Sequence, residues 1–340
     1  MAVIEVKNLV KAYKIIKKED GLIGYFKNLI NPKYSEFQAV KGINFSIQEG
    51  ELVGYIGENG AGKSTTIKML TGLLTPTSGE VIVNGIKPNE KRIENNKYIG
   101  AVFGQKTQLW WDLPVIESFD LIKKMYKIPN NEYKENLKKF TEILELEDLL
   151  NKQVKNLSLG QKMRCEIAAT FLHNPKIVYL DEPTIGLDVF VKENIRKFIK
   201  EINKEKKTTV ILTTHDLKDI EDVCDRIILL DKGQIIYDGE KQKFKDTYGK
   251  YVFAEFIIKN KTENIKLNNA QIIEETENRL KIKFSHEEVT ILKVMDEISK
   301  YCTIEDIHMK EAELEDILKE IYKGAHTNVK VNDSIRKNAI

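Results

Sequence analysis

Apolar and polar positions alternate over residues 4–6 and 45–47, the two-residue period of short half-buried strands. Residues 52–56 form a continuous apolar run that stops at a glycine-rich stretch. That pattern predicts a buried strand, a loop, and a helix starting near Lys63. Residues 81–84, followed by Gly85, read as a strand and turn. From 115 to 150 the apolar residues recur at helical spacing, broken at Pro129, so an inserted helical region is expected. Beyond it, the β-branched runs 177–180 and 209–212 alternate with helical segments, the pattern of a parallel sheet with helices on its faces. The first 240 residues are therefore predicted to be mainly α/β.

Residues 241–250 turn polar, and a second set of short elements follows: 252–258, 272–284, a helix over about 287–302 and another after Glu311. These predict a separate α+β domain at 241–325, a length of about 80 residues that falls within the normal range for one domain. The polar residues 326–340 are read as a tail. The expected division is thus 1–240, with a helical subdomain at about 105–165, then 241–325, then 326–340.

Composition narrows the class. A chain of 340 residues with 41% hydrophobic and 31% charged residues has the make-up of an ordinary globular protein long enough for two domains. With 54 basic against 52 acidic residues the net charge is +2, which gives no global electrostatic ground for nucleic acid, and none is expected as a partner. Cys165, Cys224 and Cys302 are far apart and odd in number, so they suggest neither a disulfide framework nor a metal-ligand spacing, and a reducing compartment fits. The first residues lack the pattern of a signal peptide, and no apolar run approaches the ~18 residues of a membrane-spanning helix. Any membrane association is expected to be peripheral or through a partner.

Three stretches carry chemistry. Gly57-Glu58-Asn59-Gly60-Ala61-Gly62-Lys63-Ser64 matches G-x-x-x-x-G-K-[ST] between an apparent strand and helix, the context the motif requires. Such a loop turns successive backbone N–H groups toward phosphate oxygens, and the following helix adds the positive end of its dipole. Lys63 then reaches the β and γ phosphates, Ser64 offers a hydroxyl to Mg²⁺, and Thr65 is placed for a phosphate farther back. The apolar strand 177–180 ends abruptly in Asp181 and Glu182. Alone, the pair fits a solvated acidic turn equally well. Beside a phosphate loop, Asp181 is the candidate Mg²⁺ partner and Glu182 the candidate base that orients the attacking water. In Leu157-Ser158-Leu159-Gly160-Gln161, Ser158 sits as an N-cap before an amphipathic helix. A plain capped helix explains that stretch as well as a functional one. Finally, His215 follows the β-branched run 209–214, where a strand end sets it beside the carboxylates.

Taken in order, the phosphate loop at Gly57, Gln105 in a Phe-Gly-Gln turn, Leu157-Ser158-Leu159-Gly160-Gln161, Asp181-Glu182, Gly186-Leu187-Asp188 and Thr214-His215-Asp216 resemble the ATP-binding cassette family over most of residues 1–240. The resemblance implies a P-loop NTPase core with an inserted helical subdomain, ATP and Mg²⁺ as ligands, and ATP hydrolysis coupled to transport. It further implies that Ser158, Gly160 and Gln161 act in trans, closing over a nucleotide held by the phosphate loop of a second cassette, either an identical or a different chain. Leu159 departs from the glycine usual at that position. By the same resemblance Gln105 senses the γ-phosphate and Mg²⁺, His215 contacts the γ-phosphate, Asp188 lies in the loop crossing to the other cassette, and Tyr13 stacks on adenine. For Tyr13, ordinary packing remains the competing reading.

Other features particularise the resemblance. The segment between Tyr13 and Gln38 is longer than a strand connection needs. Its Leu22, Ile23, Phe26, Leu29 and Ile30 fall on one helical face flanked by lysines, suited to a membrane surface, to a membrane subunit, or to packing on its own domain. Trp110 and Trp111 follow Gln105 closely and suggest an interface. With residues 180–188 and the appended C-terminal domain, this looks like the branch that serves separate ABC-2-type permeases, mostly exporters, at the cytoplasmic face of the cell membrane. Two rivals stand beside it. A soluble cassette ATPase acting on ribosomes or DNA usually carries two cassettes or a long coiled-coil insert, and neither is visible here. A nucleotide-dependent binding module without turnover has no use for Glu182 and His215.

Overall fold

The computed structural model describes residues 2–16, 34–104 and 106–326. These residues form two compact units, the first within 2–239 and the second within 240–326.

The first unit opens with β1 (Ala2–Ile16) and β2 (Tyr34–Gln48), an antiparallel pair far longer than the short strands the alternation predicts. Register shifts between Val6 and Leu9 and between Lys11 and Ala12 explain the difference, because each shift resets the two-residue period that a pattern reading follows. The segment 17–33, with its apolar face and lysines, lies outside the described residues. β3 (Leu52–Gly57), α1 (Lys63–Leu70), β4 (Ser78–Val83), α2 (Arg92–Asn95) and β5 (Ile99–Phe103) follow. Next come the helices α3 (Val115–Tyr126), α4 (Asn130–Leu144) and α5 (Leu159–Phe171). β6 (Ile177–Asp181), α6 (Val189–Lys206), β7 (Thr209–Thr213), α7 (Leu217–Val223), β8 (Arg226–Asp231) and β9 (Gln234–Glu240) complete the run.

Two sheets result, a three-stranded one in the order β2-β1-β4 and a six-stranded one in the order β5-β6-β7-β3-β8-β9. Pairing is parallel from β5 through β8. Every residue of β6 and β7 is buried, as a parallel sheet covered on both faces demands. One apolar cluster joins the sheets, bringing Ile4, Val6 and Leu9 of β1 against Tyr55 of β3, Ile67 of α1 and Tyr179 of β6. The inserted helices are locked on by aromatic edges: the rings of Phe140 and Phe171 meet Phe198 of α6 at 5.0 and 5.1 Å, near perpendicular. Such pairs add about 0.5–1.5 kcal/mol each beyond area burial.

The second unit contains α8 (Lys241–Tyr248), β10 (Tyr251–Lys259), β11 (Gln271–Glu275), β12 (Arg279–Ser285), α9 (Ile291–Ile298), β13 (Thr303–Glu311) and α10 (Leu314–His326). Its antiparallel sheet has the order β11-β12-β10-β13. β10 alternates buried and half-buried positions, and its Phe256 joins Leu280 and Ile282 of β12 and Val294 and Ile298 of α9 in a core of its own. The run 272–284, read from sequence as one element, is two strands with a turn at Thr276, whose hydroxyl accepts from Arg279 N at 3.1 Å. The polar stretch after 240 is helix α8, which buries only Phe244 and so shows little periodicity.

Candidate functional site

The site gathers at the C-terminal ends of β3, β6 and β7, three neighbouring parallel strands, where strand ends of an open α/β sheet commonly meet a ligand. β3 delivers the loop. A Cβ at Gly57 would stand 2.6 Å from Leu230 O, and at Gly62, with φ +106, it would stand 2.6 Å from Ala39 O. Glycine is therefore required at both ends of the curl. Glu58, Asn59 and Gly60 form the exposed crest, Ala61 is buried beneath, and Thr65 is half-buried on α1. α1 starts at Gly62 without a side-chain cap. Its first N–H groups thus face the loop as a positive dipole end.

Lys63 is 7% exposed and arches back over the loop, donating to Gly57 O at 2.6 Å and Glu58 O at 3.1 Å. Burial pulls its ammonium below the usual lysine range, against the opposing pull of Glu182 and Asp181. Ser64 Oγ donates to Asp181 Oδ1 at 3.2 Å, and Thr213 Oγ1 at the end of β7 donates to the same oxygen at 2.6 Å. Asp181 is thereby fixed between the loop and the neighbouring strand.

Glu182 leaves the end of β6 in a left-handed conformation, φ +57. Its N–H donates to Thr213 O at 3.0 Å, which turns the carboxylate back toward β7. There His215 N donates to Oε2 at 3.2 Å, and His215 Nε2 lies 3.1 Å from Oε1. Burial pushes the Glu182 carboxyl above the ordinary range, opposed by His215 and then Lys63. A carboxylate so shifted is a better proton acceptor than a solvated one.

The other predicted residues fall elsewhere. Tyr13 lies half-exposed on β1 opposite Phe37, with the Lys11 ammonium 5.4 Å from its ring centroid. Ser158, Gly160 and Gln161 form the N-terminus of α5. Gln161 N donates to Ser158 Oγ at 3.3 Å and Ser158 N donates to Gln161 Oε1 at 3.0 Å, a complete capping box. Their neighbours are not the phosphate loop: a Cβ on Gly160 would meet Val191 at 3.4 Å, and one on Gly186 would meet Leu159 at 3.2 Å. Asp188 caps α6 by accepting from Val191 N at 3.0 Å. Gln105 lies outside the described residues. The segment just after it is held by buried Glu166 of α5, which accepts from Thr107 Oγ1 and Gln108 N, each at 2.8 Å. Sequence reasoning passed over Thr213 and Glu166. Thr213 is indistinguishable from the rest of its β-branched run, and nothing in the helical pattern of α5 distinguishes Glu166 from a solvated glutamate.

The residues fit nucleotide and metal. An uncapped helix start with a buried lysine suits an anion, and the hydroxyl–carboxylate pair Ser64–Asp181 offers the hard oxygen donors Mg²⁺ takes. A strand, a glycine curl and paired carboxylates on nearby strand ends define a P-loop nucleotide-binding core. Residues 40–185 match the family model described as "ABC transporter". Cholesterol transporter ABCA5 of Rattus norvegicus is 31% identical over 336 residues, which cover 94% of this chain and 20% of that protein. The chain thus spans only about a fifth of ABCA5's length, 20%. ABC transporter ATP-binding protein NatA of Bacillus subtilis is 30% identical over 228 residues, 65% of this chain and 92% of NatA. The dimeric structure of a post-hydrolysis state of the ATP-binding cassette MJ0796, bound to ADP and Pi, superposes with a TM-score of 0.58 at 30% identity, covering 70% of this chain and 98% of that one. The chain belongs to the ABC transporter family, as an ATP-binding, ATP-hydrolysing cassette.

Proposed function

We propose that this chain is the energy-converting subunit of an exporter, acting at the cytoplasmic face of the cell membrane on separate ABC-2-type permease subunits. The observation that carries the reading is the placement of Glu182, turned back by Thr213 O and held by His215 beside the Ser64–Asp181 pair and Lys63. In it the loop N–H groups and Lys63 bind the phosphates of ATP, and Tyr13 stacks on the adenine. Glu182 orients the attacking water and accepts its proton, while His215 holds Glu182 and contacts the γ-phosphate. Ser64, Asp181 and Gln105 would hold Mg²⁺, which when bound neutralises charge on the phosphate oxygens.

The exposed N-terminus of α5 supports action in trans: Ser158, Gly160 and Gln161 close over the nucleotide of a second cassette, and hydrolysis reopens the pair. Trp111 is 52% exposed, with the Lys162 ammonium 4.8 Å from its ring, and this segment faces the permease. No helix among the described residues is long and apolar enough to cross a membrane; in this reading the permease subunits form the pathway. Tagged Glu182→Gln protein, purified from gently solubilised membranes with ATP and Mg²⁺, tests the reading. Recovery of a multi-span protein supports it, and recovery of ribosomes or nucleic acid alone refutes it.

A further inference from the structure

A buried carboxylate outside the proposed catalytic set joins the two loops that carry Glu182 and His215. Asp219 of α7, 1% exposed, accepts on Oδ2 from Thr184 Oγ1 and, at 3.2 Å, from Thr214 Oγ1. Thr184 stands two residues past Glu182, and Thr214 immediately precedes His215. The other oxygen, Oδ1, accepts from Arg196 Nε at 2.6 Å. Arg196 of α6 is 6% exposed and reaches on to Asp222 Oδ2 at 3.0 Å through Nη1.

Packing alone does not account for this arrangement. An apolar pair of similar volume would fill the same space at equal or lower free energy, since burying two charges loses most of what their attraction gains. What an apolar pair lacks is an acceptor that two hydroxyls from separate loops reach at one oxygen. These loops need holding. Glu182 has φ +57, a conformation a residue with a Cβ adopts only when its surroundings impose it. On the N-terminal side the turn is tied by Glu182 N to Thr213 O at 3.0 Å. On the C-terminal side it is tied by Thr184 to Asp219. Because Arg196 follows Asp188 on the same helix, the tie also reaches the loop between Glu182 and α6.

We infer that Asp219 is a positioning residue: it staples Thr184 to Thr214 so that Glu182 and His215 keep their 3.1 Å contact. The inference rests on the proposed roles of Glu182 and His215, and it adds a residue that touches neither nucleotide nor water. Asp219→Asn removes the buried carboxylate that faces Arg196, leaving it only Asp222 and Asp216, and so confuses folding with function. The decisive variant is therefore Thr184→Val with Thr214→Val, which removes both donors and keeps the Asp219–Arg196 pair.

The assay is steady-state ATP hydrolysis by the purified full chain, with Glu182→Gln measured alongside. The valine pair is expected to lose about 10- to 100-fold in kcat, the scale of a misplaced catalytic group, with KM for ATP within about twofold. Serine at both positions restores the hydroxyls and is expected to recover kcat to within about threefold. A valine pair with unchanged kcat beside an inactive Glu182→Gln overturns the staple alone, as does a loss that the serine pair fails to rescue. A Glu182→Gln variant with unchanged kcat overturns the catalytic reading and the staple with it.

Discussion

Two helices of this cassette begin in opposite ways. α1 starts at Gly62, with no side-chain cap and with Lys63 buried behind it, while α5 starts at Ser158 with a full capping box and with Leu159 37% exposed beside it. At the first, the backbone N–H groups that a helix leaves unsatisfied are kept for a ligand. At the second, Gln161 N already has Ser158 Oγ as its partner, and the serine's own N–H has Gln161 Oε1. A phosphate approaching α5 therefore meets a hydroxyl, the N–H of Gly160 and an apolar side chain rather than a bare row of donors. The polar groups around α1 are interlocked within one chain, through Ser64, Asp181, Thr213, Glu182 and His215. Those at α5 bond each other at a partly exposed helix start. The first arrangement is suited to holding a nucleotide within one chain, and for the second the proposed role is to complete a site on another molecule.

The largest expected effect separates these halves. Glu182→Gln keeps the size of the side chain and removes the proposed base, so kcat should fall by about 10²- to 10⁴-fold, the usual worth of a positioned general base. Nucleotide binding, which depends on α1 and its loop, should be retained. Phosphate release and equilibrium binding of a fluorescent ATP analogue measure the two separately. With turnover blocked, ATP should also drive the variant into dimers if the second cassette is an identical chain, and light scattering would show a monomer throughout if it is not.

A smaller effect tests how the cluster tunes its base. Burial raises the Glu182 carboxyl above the ordinary range, and His215 opposes that rise. A base works deprotonated, so kcat should fall as pH drops through this raised value, at higher pH than a solvated glutamate would dictate. Removing the opposing histidine raises the carboxyl further. His215→Ala should therefore move the acid limb of the kcat profile to still higher pH, apart from any loss at the optimum. A limb that moves to lower pH would mean that His215 does not stabilise the carboxylate.

These contrasts also show what a sequence displays and what it hides. The phosphate loop is legible because its glycines, lysine and serine stand together in eight consecutive residues, and the positive φ of Gly62 is local to the lysine that follows it, although the carbonyls that crowd Gly57 and Gly62 come from the distant Leu230 and Ala39. The apolar runs of β3, β6 and β7 announce buried parallel strands for a similar reason. Thr213 and Asp219 are silent in the sequence because Asp181 lies 32 residues from Thr213, and Thr184 and Arg196 lie 35 and 23 residues from Asp219, on segments that become neighbours only in the folded unit. The length of β1 and β2 is hidden by register shifts that break the alternation. Helix α8 hides behind a polar composition, since one buried phenylalanine sets no period.

The smallest expected effect bears on the second half of the comparison, and it distinguishes a cap from a ligand. Ser158→Ala removes the side-chain acceptor at the start of α5 and should cost about 1 kcal/mol of stability, read from urea unfolding of the full chain. Loss of activity in that variant decides nothing, because a frayed helix start would also displace Gly160 and Gln161. Ser158→Asp decides it. Aspartate caps a helix as well as serine and adds a charge that favours the dipole, so stability should return to the parent value. If Ser158 serves only as a cap, hydrolysis returns as well. If its hydroxyl meets the phosphate of a nucleotide on a second cassette, the aspartate carboxylate repels that phosphate, and hydrolysis stays low in a protein that is fully stable.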